Sequence, residues 1–403
     1  MTKRLYDENS HLTEAESRVV SCVPAGDAFD VVLDQTVFFP EGGGQPSDTG
    51  KLGEAIVSHV REEGGEIYHR VDRALAVNAV VSGRIDWARR FDFMQQHTGE
   101  HLLSFSFYEL FAASNVGFHL ALDYATIDFD QPVSHEQILE AEMLANRFVW
   151  KNLPVHVTFY DSEEDVRALP LRKHAEGLVP PIRIVGIEGA DLCTCCAPHC
   201  EKTGEIGSIF VADASSYKGG TRITFFCGER ALKLHRAQHD DLDVIARRFS
   251  CQREAAVSAV KKLSDDYGAL KKSERELAKS LNGYMAAEFL AKTAQAGKFR
   301  VVVQLVSGVD AARLKDLAQA ASADKTLALL VSEWDARLLY VLSTGAGFPL
   351  DVSDLMPAVN AALGGKGGGR GTLAQGTSTT TSGAFEAVEQ LKNYFVKRLS
   401  DHR

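Results

Sequence analysis

The chain has 403 residues, of which 45% are hydrophobic, 24% charged and 8% aromatic, and its formal net charge is −10. That length exceeds what one hydrophobic core organises, and the composition excludes a disordered or collagen-like chain. No apolar run approaches the roughly 18 to 20 residues of a membrane span, and the acidic balance excludes a surface coated for nonspecific nucleic-acid binding. The polar start Met1-Thr2-Lys3-Arg4 has no signal-peptide core. Residues 1–90 hold fifteen acidic against ten basic side chains, so any nucleic-acid surface is expected downstream or at particular loops. Seven cysteines, four of them between Cys193 and Cys200, read as metal chemistry in the reducing cytosol rather than a disulfide framework. A cytoplasmic protein without membrane contact is the expectation.

In chain order, residues 1–88 read as a small β-barrel. β-rich runs at 18–23 and 30–33 flank Pro24-Ala25-Gly26-Asp27, short runs follow at 55–57 and 66–68, and Gly64-Gly65 marks a hairpin. Residues 89–230 read as α+β. A helix over 89–111 places Met94, His97, His101, Phe105 and Tyr108 on one inward face. Ser134-His135-Glu136-Gln137 has the form of a capping box opening a helix to about 151. Strands are expected at 154–160, 182–187, 207–212 and 221–227. Residues 231–290 read as a long helical coiled-coil spacer, because Val260, Leu263, Tyr267, Leu270, Glu274, Leu277, Leu281 and Tyr284 alternate at spacings of three and four. The same rhythm runs from Leu242 to Ala256, so an unbroken helix over 242–284 would be about 65 Å long. Residues 291–403 read as a compact α/β domain, with a glycine-rich loop at 364–371 between two helices. The fold class is therefore α+β and multidomain.

Three segments carry chemistry. His97-Thr98-Gly99-Glu100-His101 puts two histidines at i and i+4 on one helix face, the spacing of two ligands to one metal. Cys193-Thr194-Cys195-Cys196-Ala197-Pro198-His199-Cys200 adds sulfur and imidazole, and Cys195 with His199 forms a C-x-x-x-H pair. Combining the two segments gives His97, His101, Cys195 and His199, with spacing alone leaving open which cysteine ligates. Cys193, Cys196 and Cys200 either form a separate structural site or are buried as small apolar residues. Phe38 to Gly50 contains Gly42-Gly43-Gly44-Gln45, where backbone amides can approach a phosphate or ribose; a tight barrel loop is the alternative. No P-loop or dinucleotide fingerprint is present. In the C-terminal glycine run, Lys366 and Arg370 supply cations for phosphates, against the reading of a flexible linker.

Taken together, Phe39-Pro40-Glu41-Gly42-Gly43-Gly44-Gln45-Pro46, His97-x-x-x-His101, and Cys195-x-x-x-His199 followed by Thr203-Gly204-Glu205-Ile206-Gly207 resemble the editing half of alanyl-tRNA synthetase. Gly365-Lys366-Gly367-Gly368-Gly369-Arg370 with Ala374-Gln375-Gly376 is similar to the C-terminal DHH-associated domain of those synthetases. No aminoacylation domain is expected before the barrel. The chain thus resembles the long form of the free-standing alanyl-tRNA editing proteins, the AlaX family, over essentially all its length. It departs from the synthetases in carrying Cys196-Ala197-Pro198 where they commonly have Gly-Gly-Thr, and Glu100 where they often have threonine.

The resemblance implies a deacylase that hydrolyses tRNA(Ala) mischarged with serine or glycine. It implies Zn2+ on His97, His101, Cys195 and His199, with Gly42, Gly43, Gly44 and Gln45 beside the pocket and a C-terminal part that binds tRNA and forms a homodimer. Ser114, Asn115 and His119 are candidate partners for the substrate hydroxyl. Glu100 is a candidate general base, or orients a histidine. Lys366 and Arg370 are candidate tRNA contacts. Two competing readings remain, a metal-dependent hydrolase of a small ester and a zinc-stabilised tRNA-binding module without turnover.

Overall fold

The computed structural model describes residues 1–173, 177 and 179–400. It is α+β, and the chain divides into two compact units, Met1–Ile245 and Ala246–Arg403. The barrel and the α+β segment share the first unit, and most of the helical spacer belongs to the second.

In the first unit the strands Glu14–Ala25, Ala28–Leu33, Glu66–Val71, Ala55–Glu63, Gly50–Leu52 and Val80–Ile85 close in that order into a barrel. Alternation along them turns Val19, Val31, Leu33, Val57, Val60, Ile67 and Val71 inward. Gly64 and Gly65 take positive φ in the hairpin turn between Ala55–Glu63 and Glu66–Val71. Inside the barrel His69 is fully buried, its Nδ1–H donating to Val31 O at 3.0 Å and its Nε2 accepting from the Thr36 hydroxyl at 2.8 Å.

Burial pushes His69 down to about 4 from its ordinary 6.5. Unfolding therefore takes up a proton between those values, so stability is complete above pH 6.5 and is lost as the pH falls toward 4. From neutrality to about pH 5 this one group is expected to remove about 2 kcal/mol from the first unit. Denaturant titrations at both pH values should show a smaller loss in His69→Gln than in the unaltered protein. Equal losses would contradict the assignment.

The helix Trp87–Phe111 leaves the barrel and forms the centre of the α+β part. Asp86 caps it by accepting from the Arg89 amide. Residues 93–104 are buried on every side, so this helix carries no single apolar stripe. Tyr108, expected on the inward face, is 43% exposed. Gly99 is there because a Cβ would lie 2.3 Å from Cys227 Sγ. The helix His135–Lys151, opened by the Ser134–Gln137 capping box, packs against it with the antiparallel strands Ile209–Tyr217, Gly220–Cys227, Ala125–Phe129 and Asn115–Leu120. A smaller antiparallel sheet, Val155–Tyr160, Ile182–Ile187 and Leu192–Thr194, carries the cysteine segment back toward the central helix.

The helix expected to run unbroken over 242–284 is interrupted. Gly228–Arg248 and Ala256–Ala291 are separate helices. The break has a local cause: Ser250 takes φ of 51°, the Cys251 amide donates to Ala246 O, and the Ser250 amide donates to Arg247 O. Those paired bonds are a Schellman end, which satisfies the last carbonyls and turns the chain away. On Ala256–Ala291, Leu263, Tyr267, Leu270, Leu277 and Tyr284 are exposed, so the heptad stripe has no packed seam within the chain among the described residues.

The second unit is built on a sheet ordered Ala294–Ala296, Phe299–Ser307, Thr326–Trp334, Arg337–Thr344, Leu373–Ser378, Lys366–Arg370. Val301, Val303, Leu327 and Leu329 face the helices Val352–Leu363 and Ala384–Ser400. Val302, Val306, Ala328 and Leu330 face Ala311–Ala321 and the end of Ala256–Ala291. The glycine run read as a loop is instead largely an edge strand, Lys366–Arg370, paired antiparallel with Leu373–Ser378. Its glycines allow close approach, since a Cβ on Gly367 would lie 2.5 Å from Gly376 Cα. Lys366 and Arg370 stand exposed on that edge.

No helix among the described residues is long and apolar enough to cross a membrane.

Candidate active site

The central helix brings His97 and His101 to one point, one turn apart, both buried. The cysteine segment arrives beside them because Leu192–Thr194 pairs with Ile182–Ile187 and Arg183 Nη1 donates to the carbonyls of Cys195 at 2.7 Å and Ala197 at 3.0 Å. Cys195 Sγ lies 3.4 Å from His97 Nε2 and 3.3 Å from His199 Nε2. One donor atom from each of His97, His101, Cys195 and His199 lies within 4.8 Å of the others. A tetrahedral zinc with its usual bond lengths has N···S edges of about 3.5 Å, so the donor set and its spacing fit such an ion.

Each histidine is also held from behind. His97 Nδ1–H donates to Gln45 Oε1 at 2.9 Å. His101 Nδ1–H donates to Asp191 Oδ2 at 2.8 Å. His199 Nδ1 meets Thr98 Oγ1 at 3.1 Å, and the same oxygen accepts from the Cys200 amide. With Nδ1 engaged on all three rings, Nε2 is the atom left for a metal, and the rings are fixed in orientation. Asp191 is buried and takes a bidentate contact from Arg172 at 2.6 and 3.1 Å. Burial opposes its charge, but His101 and Arg172 outweigh burial and hold the carboxyl well below the usual range. Burial would likewise raise the Cys195 thiol; the neighbouring imidazoles, His97 first, outweigh it and bring it well below its ordinary value, favouring the thiolate that ligates metals. Burial lowers His199 to about 3, keeping it a neutral donor.

Asp191→Asn is expected to weaken metal affinity about 10- to 100-fold, the usual effect of removing a ligand's supporting carboxylate. Competition with a calibrated chelator measures this directly, and unchanged affinity would contradict the role given to Asp191.

Beside these donors opens a cavity of about 290 Å³, lined by Gly43, His97, Glu100, His101, Asn115 and Phe118 on one side and by Arg172, Lys173 and Cys193 to Cys196 on the other. That volume is close to the lower bound for small-ligand sites, about 300 Å³. The glycine loop does not present a row of free amides. Gly42 and Gln45 bond each other's backbones at 3.0 and 3.1 Å, with positive φ at Gly43 and Gly44. Gly43 reaches the cavity, a Cβ on Gly44 would lie 2.8 Å from Phe118 O, and Gln45 turns inward to His97.

Of the other residues expected at the pocket, Asn115 lines it, whereas Ser114 and His119 do not. His119 lies on the opposite face of Asn115–Leu120 from Phe118, exposed and near Tyr124. The Ser114 amide donates to Asp130. Glu100 points neither to solvent nor directly at a ring nitrogen. It is 4% exposed, and its Oε1 accepts from Ser104 Oγ and from Asn115 Nδ2. Sequence reasoning missed Thr98, Asp191 and Arg172. Thr98 adjoins a ligand and Asp191 stands two residues before Cys193, but nothing in their spacing distinguishes them from ordinary polar residues.

Comparison with known proteins adds the following. Residues 5–89 match the family model for class II (A) tRNA synthetases, and residues 182–224 that for the second additional domain of threonyl and alanyl tRNA synthetases. The alanine–tRNA ligase of Pyrococcus abyssi is 31% identical over 97% of this chain, which spans only 43% of that enzyme. The alanyl-tRNA editing protein AlaX-L of Pyrococcus horikoshii is 31% identical, over 93% of this chain and 94% of its own. The mouse (Mus musculus) alanyl-tRNA editing protein Aarsd1 is 32% identical, over 97% of each. With that full-length similarity to stand-alone editing proteins, the chain belongs to the alanyl-tRNA editing protein family, AlaX.

Proposed function

We propose that this protein hydrolyses the ester of tRNA(Ala) mischarged with serine, and also with glycine, in the cytosol, through a zinc site on His97, His101, Cys195 and His199. The observation that carries this reading is the set of four converging donors, three with their second ring nitrogen already engaged, at the edge of a cavity with room for an aminoacyl group. In the reaction, water adds to the ester carbonyl carbon, the bond to the ribose oxygen breaks, and free amino acid and a ribose hydroxyl are released. Zinc, when bound, supplies Lewis acidity at the carbonyl. The chain's own contribution is to fix the imidazoles through Gln45, Asp191 and Thr98, and to wall the cavity with Phe118 and the Cys193 to Cys196 segment. Lys366 and Arg370, exposed on the second unit's edge strand, are proposed to meet tRNA phosphates, and the exposed stripe on Ala256–Ala291 to pair two copies of the chain.

The test is release of amino acid from seryl-, glycyl- and alanyl-tRNA(Ala). The reading predicts rapid release of serine, release of glycine, and sparing of alanine. No release from any of the three by folded, metal-loaded protein would overturn it. The module without turnover would then account better for the site.

A further inference from the structure

Glu100 places a carboxylate on the cavity lining, outside the four-donor set. Its carboxylate is 4% exposed on the buried central helix. Oε1 is saturated by Ser104 Oγ and by Asn115 Nδ2 at 2.6 Å, and Asn115 is itself fixed, donating to Ser104 Oγ at 2.9 Å and accepting from the Gly117 amide at 2.9 Å. Oε2 accepts no hydrogen bond among the described residues and lies 3.8 Å from His101 Nε2. Glu100 falls outside the four-donor cluster. Arg172 and Lys173 line the same cavity; Arg172 directs Nε and Nη2 to Asp191 and feels the Glu100 charge, but neither cation forms an ion pair with Glu100 among the described residues. The result is a carboxylate held through one oxygen, on the lining of the cavity, with the other oxygen left without a hydrogen bond. Such an oxygen is placed to accept from a cation that enters the cavity.

Resting on the deacylase reading, we propose that Glu100 Oε2 is the anchor for the α-ammonium group of the aminoacyl ester, which makes the enzyme selective for free aminoacyl esters over N-acylated ones such as peptidyl-tRNA. The α-ammonium is the one cation common to seryl and glycyl esters, and it lies two bonds from the carbonyl carbon. Gripping it at Glu100 turns the ester toward the His97–His101 side of the cavity. An N-acyl group removes the positive charge and adds bulk against a carboxylate that cannot retreat, because Ser104 and Asn115 hold it. Asn115 is then a positioning residue for Glu100 rather than a partner for the serine hydroxyl.

The experiment compares the full-length, metal-loaded protein with Glu100→Gln, which keeps both bonds to Oε1. Seryl-, glycyl- and N-acetylseryl-amide analogues of the 3′-terminal adenosine, which cannot be hydrolysed, are titrated by calorimetry; kcat/KM is measured on Ser-tRNA(Ala) and its N-acetyl derivative, and metal content is checked. Loss of one charge-assisted hydrogen bond predicts that Glu100→Gln binds the seryl and glycyl analogues about 10- to 100-fold more weakly, with metal content unchanged. The preference for free over N-acetylated ester, about 100-fold or more in the unaltered protein, should fall by the same factor of about 10- to 100-fold in the variant. Equal turnover of free and N-acetylated esters by the unaltered protein overturns the anchor while leaving the deacylase intact. A parallel fall for both esters in Glu100→Gln also overturns it and makes Glu100 a general base; loss confined to the seryl analogue makes it a hydroxyl reader. Absence of turnover on every ester removes the deacylase reading itself.

Discussion

Replacing His97 with alanine is expected to lower serine release from Ser-tRNA(Ala) by about a thousandfold or more, the scale of several kcal/mol of lost Lewis-acid stabilisation. His97 supplies one of the four donors, so the purified variant should also hold less metal than the unaltered protein. Gln45, whose Oε1 accepts from His97 Nδ1, tests the same point more gently: Gln45→Ala should cost only about 10- to 100-fold. Affinity for uncharged tRNA(Ala) should stay within about threefold in both variants, because phosphate contacts carry most of such binding and none is removed. A His97→Ala protein that deacylates normally would contradict the assignment of the site. One that loses tRNA affinity in step with folding stability would favour the structural module.

The largest expected effect on stability lies where the central helix meets the barrel. Arg90 is fully buried and its guanidinium pairs with the equally buried Asp48, while donating to the carbonyls of Ser10 at 2.9 Å and Val37 at 2.7 Å. Asp48 also accepts from the Phe39 amide at 2.7 Å, so the pair fixes the start of the glycine loop against the helix that carries two metal donors. Arg90→Met would leave Asp48 charged, buried and without its cation. The expected loss is about 3–5 kcal/mol in the first unit, and combining it with Asp48→Leu should restore about 2 kcal/mol by removing the stranded charge. Denaturant unfolding of the three variants measures both effects. A loss below about 1 kcal/mol for Arg90→Met would show that the pair is not what joins these elements.

Local signals in the sequence were read where one physical cause dominates. Gly64-Gly65 needs positive φ and makes the hairpin; Ser134 and Gln137 make the capping box; the i, i+4 histidines share a helix face. What the pattern could not show depends on contacts distant in the chain or on a competing local bond. The heptad rhythm continues through Phe249, but a Schellman end at Ser250 stops the helix there. Lys366 to Arg370 reads as a loop, because a strand made mostly of glycine has no side-chain pattern, and only its pairing with Leu373–Ser378 reveals it. At the site, the donor atoms follow from chemistry and spacing, but their supports do not. Asp191 reaches His101 across ninety positions and Gln45 reaches His97 across fifty-two, distances over which no periodicity carries information. The resemblance places Ser114, Asn115 and His119 at the pocket, but Phe118 lines the cavity and strand alternation puts its neighbour His119 on the other face.

The account stands most directly on serine release from Ser-tRNA(Ala) by three preparations of the same protein: as purified, stripped of metal by a chelator, and reloaded with one equivalent of Zn2+. Ala-tRNA(Ala) is run beside each. The account predicts release of serine in the first and third, its collapse in the second, and alanine spared throughout. Full activity in the stripped protein, with the metal shown to be gone, would contradict it.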